Sequence, residues 1–100
     1  MNSIDVVVVR VYITEASGLL DKIVNYLKQD VKIRGVSVFR ATRGYGDTGG
    51  HNMALMDLSL DLPLAIEFFD CQEKIDSALD YLNHIIKLEH IIFWAAKTNS

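Results

Sequence analysis

The sequence predicts an α+β domain: a four-stranded antiparallel sheet with two helices packed on one face, in the chain order βαββαβ. Three observations predict it. Four short runs rich in β-branched and aromatic residues stand at Val6–Ile13, Gly35–Arg43, Leu64–Phe69 and Glu89–Ala96. Two intervening stretches change to three-to-four spacing of apolar residues, the period of an amphipathic helix. The resulting order makes two strand–helix–strand halves, each closed by a right-handed crossover, which is the ferredoxin-like arrangement.

Each element has its own justification. In Val6–Ile13, Val7, Val9, Val11 and Ile13 share one face, while Val6, Val8, Arg10 and Tyr12 share the other. Both faces are mostly apolar, as in a central strand covered on both sides. Leu19, Leu20, Ile23, Val24, Leu27 and Val31 then form a helical stripe, with Ser17 as its expected N-cap, Lys28 and Lys32 in the last turns, and Gly35 ending the turn or entering the next strand.

The second strand, Gly35–Arg43, runs into a glycine-rich loop. Beyond it, Met56, Leu58, Leu60 and Leu62 alternate with Asp57, Ser59 and Asp61, an extended return leading to Pro63, which marks a break or a strand start. Leu64–Phe69 is a strand interrupted only by Glu67. Asp70 followed by Glu73 reads as a capping box opening a helix whose core face is Ile75, Ala78, Leu79, Leu82, Ile85 and Ile86. The last strand carries Ile91, Phe93 and Ala95 on one face and His90, Ile92 and Trp94 on the other, ahead of a polar tail from Lys97.

Two helices cover one face of such a sheet, yet several strands are apolar on both faces. A wet apolar face of that extent marks an interface, so a homo-oligomer is expected to bury it. A trimer closes three such faces around one axis. Arg10 and Glu67, which interrupt two apolar strands, are expected to pair on the open face and be sealed there.

Composition narrows the function. One hundred residues, half of them apolar, with one proline, describe a single folded domain over 1–100. A net charge of −3 gives no basic stripe for nucleic acid. One cysteine excludes an internal disulfide framework and fits a reducing compartment, and the Val6–Val9 run is too short for a membrane span, so a cytoplasmic location is expected. The three histidines match no zinc spacing, no metal or cofactor is required by any motif, and no nucleophile–base pair stands out, so the chain is not expected to be an enzyme.

The loop is the exception to burial logic. Gly44, Gly46, Gly49 and Gly50 fall within seven positions, flanked by Arg40 and Arg43 and followed by His51 and Asn52. Ordering that much glycine costs backbone entropy, so such a loop suits a site where backbone approaches a ligand closely. Gly44–Gly49 matches G-x-G-x-x-G literally, but no helix follows, so the dinucleotide reading fails. An arginine can fork onto a phosphate or carboxylate, and Arg43, beside the first glycine, is the stronger candidate. Cys71, at the start of the second helix, reads as a small structural residue.

Three blocks, RVYITE (Arg10–Glu15), RGVSVFRATRGYGDTGGH (Arg34–His51) and LPLAIEFFD (Leu62–Asp70), resemble the PII-like proteins that make up a family of unknown function related to the PII signal-transduction proteins. The resemblance covers almost the whole chain, in order. It implies a trimer of ferredoxin-like subunits with small effectors in the clefts between sheets, and a loop that reports the ligand to a protein target, an enzyme or transporter. Several PII-like relatives bind adenine nucleotides at the base of that loop. The expected ligand-binding set is therefore Arg40, Arg43, Gly44, Tyr45, Gly46 and His51, with Glu15 from the first block. The loop is shorter than in PII proteins, and Ile86–Glu89 lacks a glycine-rich phosphate-binding turn, so a mononucleotide or other small anion fits better than a triphosphate. Two rival readings share the fold: a divalent-metal-responsive trimer of the CutA type, and a small enzyme using His51 or Asp47. The Gly44–Met53 loop is expected to be mobile without ligand.

Overall fold

The computed structural model describes residues 2–45 and 62–100. The elements are β1 (Ser3–Thr14), α1 (Leu20–Tyr26), β2 (Val36–Arg40), β3 (Pro63–Asp70), α2 (Gln72–Leu82) and β4 (Ile91–Asn99). The sheet order is β2-β3-β1-β4, and every neighbouring pair is antiparallel. This is the ferredoxin-like topology, with the two central strands drawn from different halves of the chain.

Alternation along those central strands sets the core. Val9, Val11 and Ile13 of β1 face Phe68, Ile66 and Leu64 of β3, and all six are buried. Ile23 and Leu27 from the first helical region and Ile75, Ala78 and Leu82 from α2 pack onto them. Burying a side chain of this size contributes roughly 1.5–3 kcal/mol, so the two-residue period of the strands and the helical period of α2 must agree on one face. The rings of Tyr26 and Tyr81 stack with centroids 3.6 Å apart and tie the two helices together.

Several boundaries differ from the sequence-based expectation. The first helix ends as α-helix at Tyr26 and continues as a π-helical turn, Leu27–Val31. Lys32, not Gly35, takes the left-handed conformation that stops it, at φ 62°. Ser17 lies in a 3₁₀ turn, Glu15–Ser17, where its hydroxyl donates to the Thr14 carbonyl (2.7 Å) and accepts from the Leu19 amide (3.3 Å). It therefore stabilises the entry to α1 from two residues before the cap position, Leu19. The turn closes on Gly18, whose φ of 73° is the one place in this region where glycine's freedom is used.

At α2 the expected capping box does not form. The cap position is Cys71, with no side-chain cap bond, and Glu73 lies in the first turn. Asp70 instead remains in β3 as a buried residue. One carboxylate oxygen accepts from the Cys71 amide (2.8 Å), the other from the Arg34 amide (3.0 Å), linking the start of α2 to the entry of β2. The polar tail also joins the sheet, since β4 runs to Asn99 and pairs with β1 from Ser3, with Lys97 donating to the Asp5 carboxylate. Pro63 is a strand start, the position where a missing N–H is tolerated.

β2 is only five residues long and stops at Arg40, so Arg43 lies in a bend beyond it and not on a strand face. The 56–61 return segment and most of the glycine loop lie outside the described residues. Among the described residues no helix is long and apolar enough to cross a membrane.

Candidate functional site

Sheet order brings the two halves of the candidate site to one end. β1 and β2 both run antiparallel to β3, so they are parallel to each other, and their C-terminal ends leave the sheet at the same edge. Two strand spacings separate them, roughly 9–10 Å. Ile13 and Arg40 are level, both opposite Leu64, and Glu15 lies two residues beyond Ile13. A glutamate and an arginine are long enough to close that gap, and the Arg40 guanidinium donates through Nη2 to the Glu15 carboxylate. The pair is part-exposed: the arginine side chain retains 59% of its accessible surface and the glutamate 30%.

Backbone bonds fix the platform beneath the pair. The Ala41 amide donates to the Pro63 carbonyl at 3.0 Å, and the Glu15 amide to the Leu62 carbonyl at 3.4 Å. The chain thus leaves the sheet after Arg40 and re-enters it at Pro63 beside one charge pair. Arg43 and Tyr45 are exposed, and Arg43 makes no side-chain bond within the described residues. Gly44 does not have a left-handed backbone, and an added Cβ would meet only the Pro63 Cγ at 3.9 Å, an ordinary contact. Its lack of a side chain is therefore not required by local packing. Gly46 and His51 lie outside the described residues. Of the expected ligand set, the structure brings Glu15 and Arg40 into contact and leaves Arg43, Gly44 and Tyr45 on the departing chain.

A second charged centre occupies the open sheet face. Arg10 donates through Nε (2.9 Å) and Nη2 (2.6 Å) to a single oxygen of Glu67, its direct cross-strand partner. Tyr12 and Glu67 together hold the Arg10 guanidinium above the ordinary arginine range. Its guanidinium carbon also lies 5.5 Å from the centroid of Trp94, a cation–π contact. The small side chain of Ala65 leaves an open hollow of about 300 Å³ bounded by Arg10, Tyr12, Phe39 and Glu67. The expected Arg10–Glu67 pairing is therefore present. Trp94 was not singled out by the sequence reading; its alternation with Ile92 and Ala96 was the available signal.

Among the described residues no group of three or more His, Cys, Asp or Glu side chains converges as a metal site would. His84 falls in the turn after α2, its ring nitrogen 2.6 Å from the Asp80 carbonyl, on the surface.

This architecture defines a class, the PII-like fold. The structure superposes with a TM-score of 0.73 on CPII, a nitrogen regulatory PII-like protein from Thiomonas intermedia K12 bound to ADP, AMP and bicarbonate, at 13% identity over 99% of this chain and 92% of that one. CutA1, the divalent ion tolerance protein of Ehrlichia chaffeensis, matches at 0.61 with 10% identity, over 95% of this chain and 82% of that one. At these identities the likeness is one of fold. Sequence goes further: residues 6–98 match the DUF190 family, described as uncharacterized ACR, COG1993, and the chain belongs to that family. The UPF0166 protein MJ1524 of Methanocaldococcus jannaschii is 32% identical over 78 residues, spanning 78% of this chain and 71% of that protein.

Proposed function

We propose that this chain is a small regulatory protein that binds an adenine nucleotide, or another small anion, in clefts between subunits and signals that state to a protein target through the Gly44–Met53 segment. The observation that carries the reading is the cationic stem, Arg40 and Arg43, at the point where the chain leaves a sheet of PII-like topology. Solved structures of CPII, a protein of that fold, hold ADP, AMP and bicarbonate, or ADP, AMP and acetate. Arg43 is the residue expected to hold the ligand's anionic group, with Tyr45, Gly46 and His51 beside it. The chain acts by binding and not by turnover, in the cytoplasm, as a homotrimer.

The assembly reading rests on the open face. Phe39, Ile92 and Trp94 are exposed there around the Arg10–Glu67 pair, an apolar surface with polar contacts already satisfied. A second copy of the same face suits it. Phe93 and Val38, on the helix side of the two edge strands, are also exposed and extend the apolar surface past the helix layer.

Calorimetric titration with ADP, AMP and bicarbonate tests the nucleotide reading. Arg43→Ala should weaken a validated nucleotide by about one to two decades, the loss of one charge-assisted contact of ~1.5–3 kcal/mol, with an unchanged melting temperature. Unchanged affinity would remove Arg43 from the site. The CutA1 fold match keeps a metal-responsive reading as the rival; equilibrium dialysis against divalent metals, with His51→Ala as the control, separates the two. Hydrolysis of an offered nucleotide would favour an enzyme.

A further inference from the structure

The Glu15–Arg40 pair raises a question that the nucleotide reading leaves open, namely what Glu15 is for. A carboxylate directed at a phosphate would repel it, yet Glu15 bonds the arginine at the loop stem. We propose that the Arg40 guanidinium is a further anion subsite on the same stem, beside the contact expected at Arg43, and that Glu15 is its internal competitor, occupying it in the free protein and displaced from it by an oxyanion of the ligand. This deepens the function proposed above and rests on it.

Four features support the assignment. The bond joins two strand ends that are not neighbours, across the full width of β3, so it is not part of the sheet's own pairing. The platform under it is held by separate backbone bonds, Ala41 to Pro63 and Glu15 to Leu62, so releasing the side chains leaves β2 and β1 anchored. Both side chains are accessible, so an incoming anion reaches Arg40 without burying an uncompensated charge. The contrast with Arg10 is direct: that guanidinium is engaged by Glu67 through two donors and lies against Trp94, whereas among the described residues Arg40 uses a single donor, to Glu15.

The chemistry recognised is that of a carboxylate-like or phosphate oxyanion, because Glu15 itself is the stand-in. The shared oxyanion has two sources, a nucleotide phosphate or a free anion such as bicarbonate, and separate titrations distinguish them. An exchange of one oxyanion for another on the same arginine also gives the ligand a local consequence. It frees Glu15 at the end of β1, beside the point where the chain re-enters the sheet.

The test is a double-mutant cycle read by calorimetry with ADP, inorganic phosphate and bicarbonate, and with adenosine as the uncharged control. Glu15→Gln keeps the side-chain size and removes the competing charge. Its affinity for the anion that occupies the subsite should rise by about two- to fivefold, the scale of a part-exposed ion pair, while adenosine is unaffected. In an Arg40→Gln background the same change should have no effect. A gain that persists without Arg40 would make it a general field effect and overturn the proposal. So would unchanged or weaker binding by Glu15→Gln, since a ligand-contacting Glu15 predicts loss. ADP binding by the wild type with an unchanged ratio rejects the competitor and keeps the nucleotide reading. Phosphate or bicarbonate taken up through Arg40, with no ADP binding, does the reverse. No anion binding by either form overturns both.

Discussion

On the helix-covered face of the sheet, the charged group at the end of β3 is Asp70, buried and held by two backbone amides. On the open face of the same strand, Glu67 is held by an arginine side chain and bordered by exposed aromatics. Both carboxylates are satisfied, but by partners of different mobility. Backbone amides belong to the fold and cannot leave without unfolding it. A guanidinium on a flexible stem can exchange partners, and more readily where one donor holds it, as in the Glu15–Arg40 pair at the sheet's end, than where two donors and an aromatic ring do, as for Arg10. Charge on the covered face is therefore bound into the backbone of the fold, whereas charge on the open face and at the loop stem is held only by other side chains.

The largest expected effect tests the covered face. Phe68→Ala should cost about 3–5 kcal/mol, the range for removing a fully buried aromatic, and urea denaturation should show the loss in the midpoint. A loss below about 1 kcal/mol would mean that the face repacks and is not the rigid side of the comparison.

Asp70→Asn comes next. Asparagine offers one carbonyl oxygen where two carboxylate oxygens now accept the Arg34 and Cys71 amides, so about 1–3 kcal/mol should be lost. The pH dependence is specific. Burial pushes the Asp70 carboxyl upward, but the Cys71 and Arg34 amides, with Lys74 and the Arg34 charge, hold it below its ordinary value of 3.8. A carboxyl lowered in the folded state stabilises above its unfolded value, and that stability is lost as pH falls through the folded value. Wild-type stability should therefore fall in strong acid, below about pH 4, more steeply than that of Asp70→Asn. Parallel profiles would show that the amides do not hold the charge.

The smallest effect on the subunit itself belongs to the open face. Trp94→Ala removes a side chain that is 40% exposed and the cation–π partner of Arg10. Little change is expected in the stability of an isolated subunit, and a marked fall in assembly mass by light scattering. A large loss of stability with unchanged mass would make Trp94 part of the subunit core and remove the distinction between the faces.

The fold was legible because its signals are local. Alternation at Val9, Val11, Ile13 and at Leu64, Ile66, Phe68, with the helical stripe from Ile75 to Leu82, depends only on residues a few positions apart. Boundaries were less legible where a tertiary partner set them. The tail from Lys97 is polar but completes β4 because β1 offers it a paired edge from Ser3. Asp70 looked like a helix cap because the sequence pattern allows one, but its second oxygen is claimed by the Arg34 amide, 36 residues away.

The site divides in the same way. Sequence alone marked Arg40, Arg43 and the glycine cluster, since their types and spacing carry that chemistry without reference to other elements, and alternation sufficed to expect Arg10 and Glu67 on the open face. The family resemblance placed Glu15 among the ligand residues, but no local pattern joins it to Arg40. Their contact exists because β3 inserts between β1 and β2 and makes those strands parallel, bringing two ends 25 residues apart to one edge of the sheet. Periodicity reports which face a residue occupies; only the order of strands decides which faces and ends become neighbours.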